Sequence, residues 1–309
     1  MFYNYYRTKP YYQCQKLAGS QEVAEGIFLS AFKRQIFINH FWLKKFKDLI
    51  KEIFPAIDVS QDVSLLGPKD IAALARFKPF CFSARSFQKV DFLPAAKTFY
   101  TFLIDLSRTI EQIEESLDYS VQKQIKKAQG LGAYVERARN FEDFQQYFGL
   151  LKNFRDDMGF DTESFDIIKN LWNVMHSDDQ KQSCYEVFLC KNSQKEILAA
   201  MGIIINPEEK QFIEVASARS AFARTNKLPD NDFLKWEIIK WGHANGFKYY
   251  DLAGCNPNAL KGSKEYNIYR FKKKWGGILS PYYVYEEYFP ENRWYYPIAF
   301  ALLKVLRKI

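Results

Sequence analysis

Apolar residues recur at two different spacings along the chain, and the changes between these spacings predict where helices and strands alternate. Within 109–129, apolar residues recur at intervals of three and four: Ile110, Ile113, Leu117, Val121, Ile125 and Ala128. This spacing predicts one amphipathic helix, because it brings all of these side chains to one face. The aromatic-rich runs 99–106 and 247–252 lack that spacing and predict buried strands.

From residue 107 onward the pattern predicts a definite order of elements. After the helix at 109–129 come a strand, two helices, three strands, a helix, a strand, a short helix and a last strand at 278–285. This order resembles the GNAT acyltransferase fold, a mixed sheet flanked by helices. Residues 1–106 are less clear, although the spacing of Phe41, Lys45, Leu49 and Ile53 predicts a helix over 37–54 that Pro55 ends.

Composition sets the outer limits. The 309 residues are 48% hydrophobic and 26% charged, which is typical of a globular protein with room for two domains. The net charge of +8 favours acidic partners such as nucleic acid, phosphorylated substrates or an anionic membrane face, and an uncommitted basic surface explains it equally well. Five cysteines without a C-x-x-C pair and three separated histidines support neither a disulfide framework nor a metal site.

The chain shows no signal peptide, and no apolar run approaches the roughly 20 residues that span a bilayer. We therefore expect a cytoplasmic protein, either soluble or peripheral to a membrane. The last residues, 297–309, place apolar side chains on one side and Lys304, Arg307 and Lys308 on the other. That pattern predicts an amphipathic helix that either packs on its own domain or lies on an anionic leaflet.

Four short motifs follow one another in the second half of the chain. They are the basic helix 122–128 with its Gly-Leu-Gly end, the Leu228-Pro229 turn before Trp236-Glu237, Tyr250-Asp251-x-x-Gly254, and Phe271-Lys272-x-x-Trp275-Gly276-Gly277. Together they resemble the FemAB-like family of peptidoglycan bridge-forming aminoacyltransferases. The resemblance implies an α/β (α+β) protein of two tandem GNAT-like lobes, each a mixed, mostly antiparallel sheet flanked by helices. The lobes would be a degenerate one at 1–106 and the acyltransferase lobe at 107–309.

The resemblance also implies a reaction of cell wall biogenesis. An amine of a nucleotide- or lipid-linked precursor would attack an acyl group carried by aminoacyl-tRNA or, in some relatives, by another donor such as acyl-CoA, with no tightly bound cofactor. Lys272 matches the motif lysine and is the predicted catalytic residue that neutralises a phosphate or the developing oxyanion. Asp251, at a strand end, is predicted to orient or deprotonate the amine. An equally good interpretation is that Asp251 pairs with Lys272 or caps the next turn.

A second group of residues is predicted to bind the anionic substrate. It consists of Lys127, Arg219, Arg224, Tyr250, Gly254, Arg270, Trp275, Gly276 and Gly277. Structural explanations stay open beside this one. A cation at a helix C-terminus, such as Lys127, interacts favourably with the helix dipole, and two consecutive glycines also suit a plain turn between a helix and a strand.

Two features depart from well-known relatives. Many acyl-CoA GNAT enzymes carry a glycine-rich phosphate-binding loop where this chain has 218–227, which contains no glycine, so CoA binding through that loop is not expected. A long helical insertion, the arm that some tRNA-using relatives carry, is also missing. Two alternatives therefore stay open: an acyl-CoA- or acyl-carrier-dependent N-acyltransferase acting on a sugar or small-molecule amine, and a non-catalytic GNAT-like binding module.

Overall fold

The computed structural model describes residues 21–24, 27–31, 55–62, 68–74, 76, 81–86, 89–91, 93, 97–157, 165–177, 183–288, 292–294 and 297. The strands of these residues are β1 Gln21–Ala24, β2 Ile27–Ala31, β3 Pro55–Asp62, β4 Cys81–Ser86, β5 Lys97–Asp105, β6 Tyr134–Arg137, β7 Tyr185–Lys191, β8 Ile197–Asn206, β9 Gln211–Arg219, β10 Tyr249–Cys255 and β11 Ile278–Tyr288. The helices are α1 Pro68–Leu74, α2 Ile110–Ser116, α3 Tyr119–Gly130, α4 Phe141–Asp157, α5 Phe165–Met175, α6 Ala221–Thr225, α7 Asp230–Ala244 and α8 Lys264–Lys273. The chain divides into two compact units, Tyr100–Ser280 and Met1–Phe99 with Pro281–Ile309.

The unit Tyr100–Ser280 is built on a mixed sheet with the strand order β5-β10-β9-β8-β7-β6. Neighbouring strands from β6 to β9 run antiparallel, and β10 runs antiparallel to β5. The pair β9 and β10 is parallel. The sheet is therefore mixed and mostly antiparallel, as the sequence predicts.

Helices cover both faces of this sheet, and β8 shows why. Its Met201 and Ile203 belong to one hydrophobic cluster with side chains of α3 and α7. Gly202 between them faces the other way, where an added Cβ would lie 2.7 Å from the hydroxyls of Tyr147 in α4 and Tyr185 in β7. Because successive side chains of a strand point to opposite faces, α7 and α4 lie on opposite sides of the sheet. The predicted α/β fold class is confirmed.

The helix predicted over 109–129 is wrong in one respect, because it is two helices. Leu117, between α2 and α3, has extended backbone angles, φ −71° and ψ 143°. Asp118 then caps α3, since its carboxylate accepts the N–H of Ser120 at 2.8 Å. The N–H of Asp118 donates to the carbonyl of Lys274 at 2.9 Å. Leu117 is itself buried, so the apolar spacing runs on through the break and does not reveal it.

The second unit, Met1–Phe99 with Pro281–Ile309, contains strands in the order β1-β2-β3-β4-β11. Of its neighbouring strands, β3 and β4 are parallel, whereas β1 with β2, β2 with β3, and β4 with β11 are antiparallel. The predicted helix over 37–54 and nearly all of the predicted helix over 297–309 lie outside the described residues. The larger compact unit begins at Tyr100 and ends at Ser280, whereas the predicted lobe runs over 107–309, and the tandem GNAT-like arrangement stays a prediction.

Candidate active site

The parallel strands β9 and β10 stop pairing part-way along their length. Their register runs from Tyr249 opposite Gln211 to Asp251 opposite Ile213. Beyond that point β9 continues beside β8 to Arg219, and β10 contains a bulge after Asp251 in its pairing with β5. Open α/β sheets bind ligands outside the carboxyl ends of their strands, most often where neighbouring strands part. We call the region beyond Ile213 and Asp251 the crevice.

Asp251 lies in this crevice, but its carboxylate serves the bulge. The side chain is buried, and Oδ1 accepts the hydroxyl of Thr101 and, at 2.7 Å, the N–H of Ala253. Ala253 has φ +62°, a left-handed conformation that a residue with a side chain rarely adopts. The carboxylate therefore stabilises a strained turn, which supports the turn-capping interpretation. The role of Asp251 toward an amine stays a prediction.

Lys272 reaches from α8 back to the same bulge. Its Nζ donates to the carbonyl of Gly254 at 2.8 Å. Burial lowers the pKa of Lys272, and the opposing attraction of Glu214 does not restore it. The neighbouring thiol of Cys255 has its pKa raised to about 11, chiefly by burial. Lys272 comes from one sequence motif and Asp251 and Gly254 from another, and the fold brings all three into one site.

Two charged residues of this site, Glu214 and Lys235, were missed by the sequence analysis. Lys235 in α7 has a side chain that is 1% exposed, and its Nζ donates to Oε2 of Glu214 in β9 and, at 3.2 Å, to the hydroxyl of Tyr250. The rings of Tyr250, Phe271 and Trp275 have their centroids 5.3, 5.8 and 5.8 Å from Nζ. Carboxylate and ring faces together compensate an ammonium that has lost its water.

Burial and charge set the protonation of this cluster. Burial alone would raise the pKa of Glu214, but the charge and hydrogen bond of Lys235, with Lys272 and Ser217 adding to them, lower it. Burial, followed by the charge of Glu214, raises the pKa of Tyr250 well above its ordinary value. Near neutral pH the crevice therefore contains an ionised carboxylate beside a neutral phenol.

A sequence signal for Lys235 exists in hindsight. It stands in the run Phe233-Leu234-Lys235-Trp236, whose four residues are all buried in α7. A lysine inside a run that is apolar on every side is a candidate for a buried charge, since lysines are almost never fully buried unless paired. Glu214 gives no such signal, because alternating strands commonly carry a polar residue on their exposed face.

The glycines after Trp275 allow backbone segments to approach closely. Gly276 has φ +67°, and a Cβ there would lie 2.4 Å from the carbonyl oxygen of Ser116 at the end of α2. A Cβ at Gly277 would lie 2.9 Å from the carbonyl oxygen of Leu103 in β5. Trp275 is fully buried in the main hydrophobic cluster. Turn and core geometry explain all three residues, and their binding of substrate stays a prediction.

The two arginines of the segment between β9 and α7 contact the protein itself. Arg219 donates through Nε and Nη2 to the carboxylate of Asp230 at 2.9 and 2.6 Å, and through Nη2 to the carbonyl of Leu228 at 2.9 Å. Arg224 donates to the carboxylate of Asp157 in α4. These contacts hold the segment in place, and the predicted binding of substrate by both arginines is untested.

The two other predicted cations are exposed. Lys127 lies in the last turn of α3, where a cation interacts favourably with the helix dipole. Arg270 lies on α8, with its guanidinium carbon 6.0 Å from the ring centroid of Tyr266. Both positions leave charge accessible to an anion, and both binding roles stay predictions.

No protein-family model matches the chain. Similar sequences do exist among characterised proteins. The lipid II:glycine glycyltransferase of Staphylococcus haemolyticus is 21% identical over 284 residues, and that of Staphylococcus aureus is 20% identical over 286 residues. Each match covers 73% of this chain and 66% of the relative, so the chain spans slightly less than two thirds of the length of these relatives.

Solved structures show the same fold. The crystal structure of FemX superimposes with a TM-score of 0.66 at 14% identity, covering 90% of this chain and 91% of that one. In sequence and in fold, the chain resembles the FemAB-like aminoacyltransferases. The structure of L-PGS from Bacillus licheniformis is also similar, with a TM-score of 0.56, 13% identity and coverage of 91% and 85%. At such identities the structural likeness concerns the fold alone.

These findings confirm the FemAB-like resemblance that the four motifs predict. The sequence relatives are named as glycyltransferases, which is the acyltransferase class that the sequence analysis expects. Among the helices that the structure describes, none combines the length and the hydropathy needed to cross a membrane.

Proposed function

We propose that the protein transfers an aminoacyl group to an amine of a cell-envelope precursor and so forms an amide bond. The observation that carries the proposal is the position of Lys272, the lysine of the FemAB-like motif, at the crevice between β9 and β10 beside the ionised carboxylate of Glu214. The sequence relatives are named lipid II:glycine glycyltransferases, and this name supports the same class of reaction.

Amide formation requires mainly that the protein position the two substrates and stabilise the charge that develops during the reaction. As the amine nitrogen bonds to the acyl carbon, the carbonyl oxygen becomes an oxyanion, and the ester C–O bond then breaks with its electron pair leaving on oxygen. A cation fixed beside the oxyanion stabilises this intermediate more than the starting ester. Lys272 is suited to that role because the carbonyl of Gly254 already holds its Nζ. Asp251 stays a candidate to orient the amine through its neighbours in the bulge.

An aminoacyl ester of tRNA is the donor that we favour. In acyl-CoA enzymes of this fold, backbone N–H groups at a helix N-terminus bind the pyrophosphate. In the corresponding segment here, Ser220 caps the five-residue helix α6, and its hydroxyl accepts the N–H of Ala223 at 3.1 Å. Arg219 beside it donates to Asp230. The N–H of Ala223 and the guanidinium of Arg219 thus already have acceptors within the protein, and residues 218–227 contain no glycine. Both observations argue against the binding of CoA by this segment.

The acceptor that we favour is a nucleotide- or lipid-linked muramoyl-peptide, which carries a diphosphate. The net charge of +8 suits such a substrate. The predicted amphipathic helix over 297–309 would permit peripheral contact with the inner face of the membrane, where a lipid-linked precursor is reached. A cytoplasmic protein with this peripheral contact is the arrangement we propose.

A transfer assay with paired donors tests the proposal. The purified protein is incubated with UDP-linked or lipid-linked muramoyl-peptide and either glycyl-tRNA or acetyl-CoA, and the acceptor is analysed by mass spectrometry. We expect one or more aminoacyl residues in amide linkage, from the tRNA donor alone. Transfer from acetyl-CoA alone would favour the acyl-CoA-dependent alternative. No transfer to either acceptor by folded protein would favour the non-catalytic binding module.

A further inference from the structure

The buried ion pair of Glu214 and Lys235 calls for an explanation beyond stability. Lys235 is 1% exposed and faces three aromatic rings, so a purely apolar side chain would suit its surroundings at least as well. Replacing buried ion pairs by packed apolar residues is often neutral or stabilising. The charge of Lys235 is therefore better explained by a function of its partner, Glu214.

We propose that Glu214 accepts the proton of the acceptor amine and that Lys235 is the positioning residue that holds Glu214 for this step. The proposal rests on the amide-forming function proposed above. It assigns a second acidic group to the crevice and gives Asp251 a structural role in the bulge of β10.

Position along β9 distinguishes Glu214 from Asp251. Ile213 is the last residue of β9 that pairs with β10, so Glu214 is the first residue at which the crevice opens. Glu214 is half-buried, whereas Asp251 is buried and accepts two hydrogen bonds on one oxygen. A substrate amine can therefore approach Glu214 more readily than Asp251.

Two partners of Glu214 hold the same oxygen, Oε2. Lys235 donates to Oε2, and the hydroxyl of Tyr250 lies 3.4 Å from the same atom. A carboxylate has two oxygens, and a proton acceptor that is held by one of them keeps its orientation as the substrate binds. Lys235 and Tyr250 thus supply the rigidity that a surface glutamate lacks.

In the proposed step Glu214 accepts the proton of the attacking amine and then returns it to the departing oxygen. The amine bonds to the acyl carbon and becomes a cationic adduct, which is more acidic than the free amine. Its N–H proton passes to the carboxylate of Glu214, the C–O bond of the donor ester breaks, and the proton returns from Glu214 to the departing oxygen. The products are one amide and one alcohol, and Glu214 is again a carboxylate.

Charged and titratable groups from three other elements act on Glu214. Lys235 approaches from α7, Lys272 from α8 and Tyr250 from β10, while Ser217 of β9 itself donates a hydrogen bond. The charge of Asp251 in β10 acts on two of these neighbours, Lys272 and Tyr250. Both cations favour the carboxylate form, so Glu214 is ionised throughout the neutral range.

The first test is Glu214→Gln, which keeps the shape and the acceptor oxygen but removes the charge. Wild-type transfer is measured first, because its failure would remove the proposed function itself. With wild type active, we expect the single-turnover rate of Glu214→Gln at neutral pH to fall by about 10²- to 10⁴-fold. The deficit should shrink at high pH, where hydroxide can take the proton of the adduct in place of the missing carboxylate. A rate equal to wild type would overturn the inference and leave the proposed function standing.

The second test isolates Lys235. In Lys235→Met the carboxylate loses its main cation, so we expect the acidic limb of the pH–rate profile to move to higher pH. Lys240→Met is the matched control on the same helix, since Lys240 pairs with Glu237 at 2.7 Å but is 39% exposed. Its profile should match wild type. An unshifted profile in folded Lys235→Met would contradict the positioning role.

A double variant keeps the test decisive if Lys235→Met does not fold. Lys235→Met with Glu214→Gln removes both charges, and so leaves no buried ion without a partner. We expect this variant to fold and to react at the rate of Glu214→Gln alone, because Lys235 acts through Glu214. A rate far below that of Glu214→Gln would show that Lys235 acts by another route and would overturn the inference.

Discussion

The positive charge of Lys272 lowers the stability of the folded protein. Burial lowers its pKa, which means that the folded protein binds this proton less tightly than the unfolded chain does. The ammonium therefore lowers stability at every pH below the folded pKa, and the penalty disappears only as pH rises above the ordinary value. Since the side chain is half-buried, solvent screening keeps the penalty small. A cation that the fold does not need is expected where an anionic substrate or intermediate needs it.

Gly276 shows the opposite case, a motif residue that the fold requires. Gly276→Ala would combine a left-handed φ of +67° with a Cβ 2.4 Å from a backbone oxygen. We expect it to lower the free energy of unfolding by about 2–4 kcal/mol. Gly262→Ala is the control, because Gly262 also has positive φ, +91°, but has nothing within 4 Å of its added Cβ. That change should cost about 1–2 kcal/mol.

Urea denaturation of both glycine variants measures this difference. Equal losses of stability at the two positions would show that the turn after Trp275 can move away from α2. The Gly-Gly of the motif would then need an explanation in ligand binding instead of packing.

Individual site residues could be predicted only where a residue of suitable chemistry lies within a recognisable sequence motif. Lys272 and Asp251 follow from motifs, and the fold brings them together in one crevice. Glu214 and Lys235 were missed because they are 21 positions apart, on β9 and on α7. Each looks like an ordinary polar residue until the sheet and the helix pack. The pairing is a property of the tertiary structure.

The segment that joins β9 to α7 is held by a buried carboxylate. Asp230, the first residue of α7, has a fully buried side chain and accepts Nε and Nη2 of Arg219. Asp230→Asn would leave the guanidinium without its anion, and we expect the free energy of unfolding to fall by roughly 2–3 kcal/mol. Glu237→Gln on the same helix is the control, because its pair with Lys240 is partly exposed and contributes roughly 0.5 kcal/mol or less.

Chemical denaturation compares these two variants directly. A loss of stability in Asp230→Asn no larger than in Glu237→Gln would mean that Arg219 is free to serve a substrate. The predicted binding role of Arg219 would then gain support.

Helices and strands could be predicted where a local sequence pattern determines them. They were harder to predict where contacts between residues distant in the sequence determine them. The strands around β8 follow from continuous apolar runs, and α7 and β10 follow from spacing and turn residues. The break between α2 and α3 depends on the Asp118 N–H meeting the carbonyl of Lys274, a contact that spacing cannot reveal. β3 begins at Pro55, which the sequence analysis used only to end a helix.

The molecule as a whole combines a confirmed fold with a proposed reaction. Similarity to FemX extends over 90% of the chain, and the glycyltransferase relatives are matched over 73% of it. Similarity over a long alignment does not assign the chemistry, which depends on the residues found in the β9–β10 crevice. Lys272 is the one that the motif, the geometry and the lowered pKa all single out.

The most direct measurement is therefore the single-turnover rate of labelled glycine transfer from tRNA to the muramoyl-peptide amine, compared between wild type, Lys272→Met and Lys273→Met. Lys273 is the exposed neighbour on α8 and serves as the matched control. We expect Lys272→Met to lose about 10²- to 10³-fold in rate with an unchanged or higher melting temperature, and Lys273→Met to match wild type. Wild-type rates in folded Lys272→Met would contradict the proposed site.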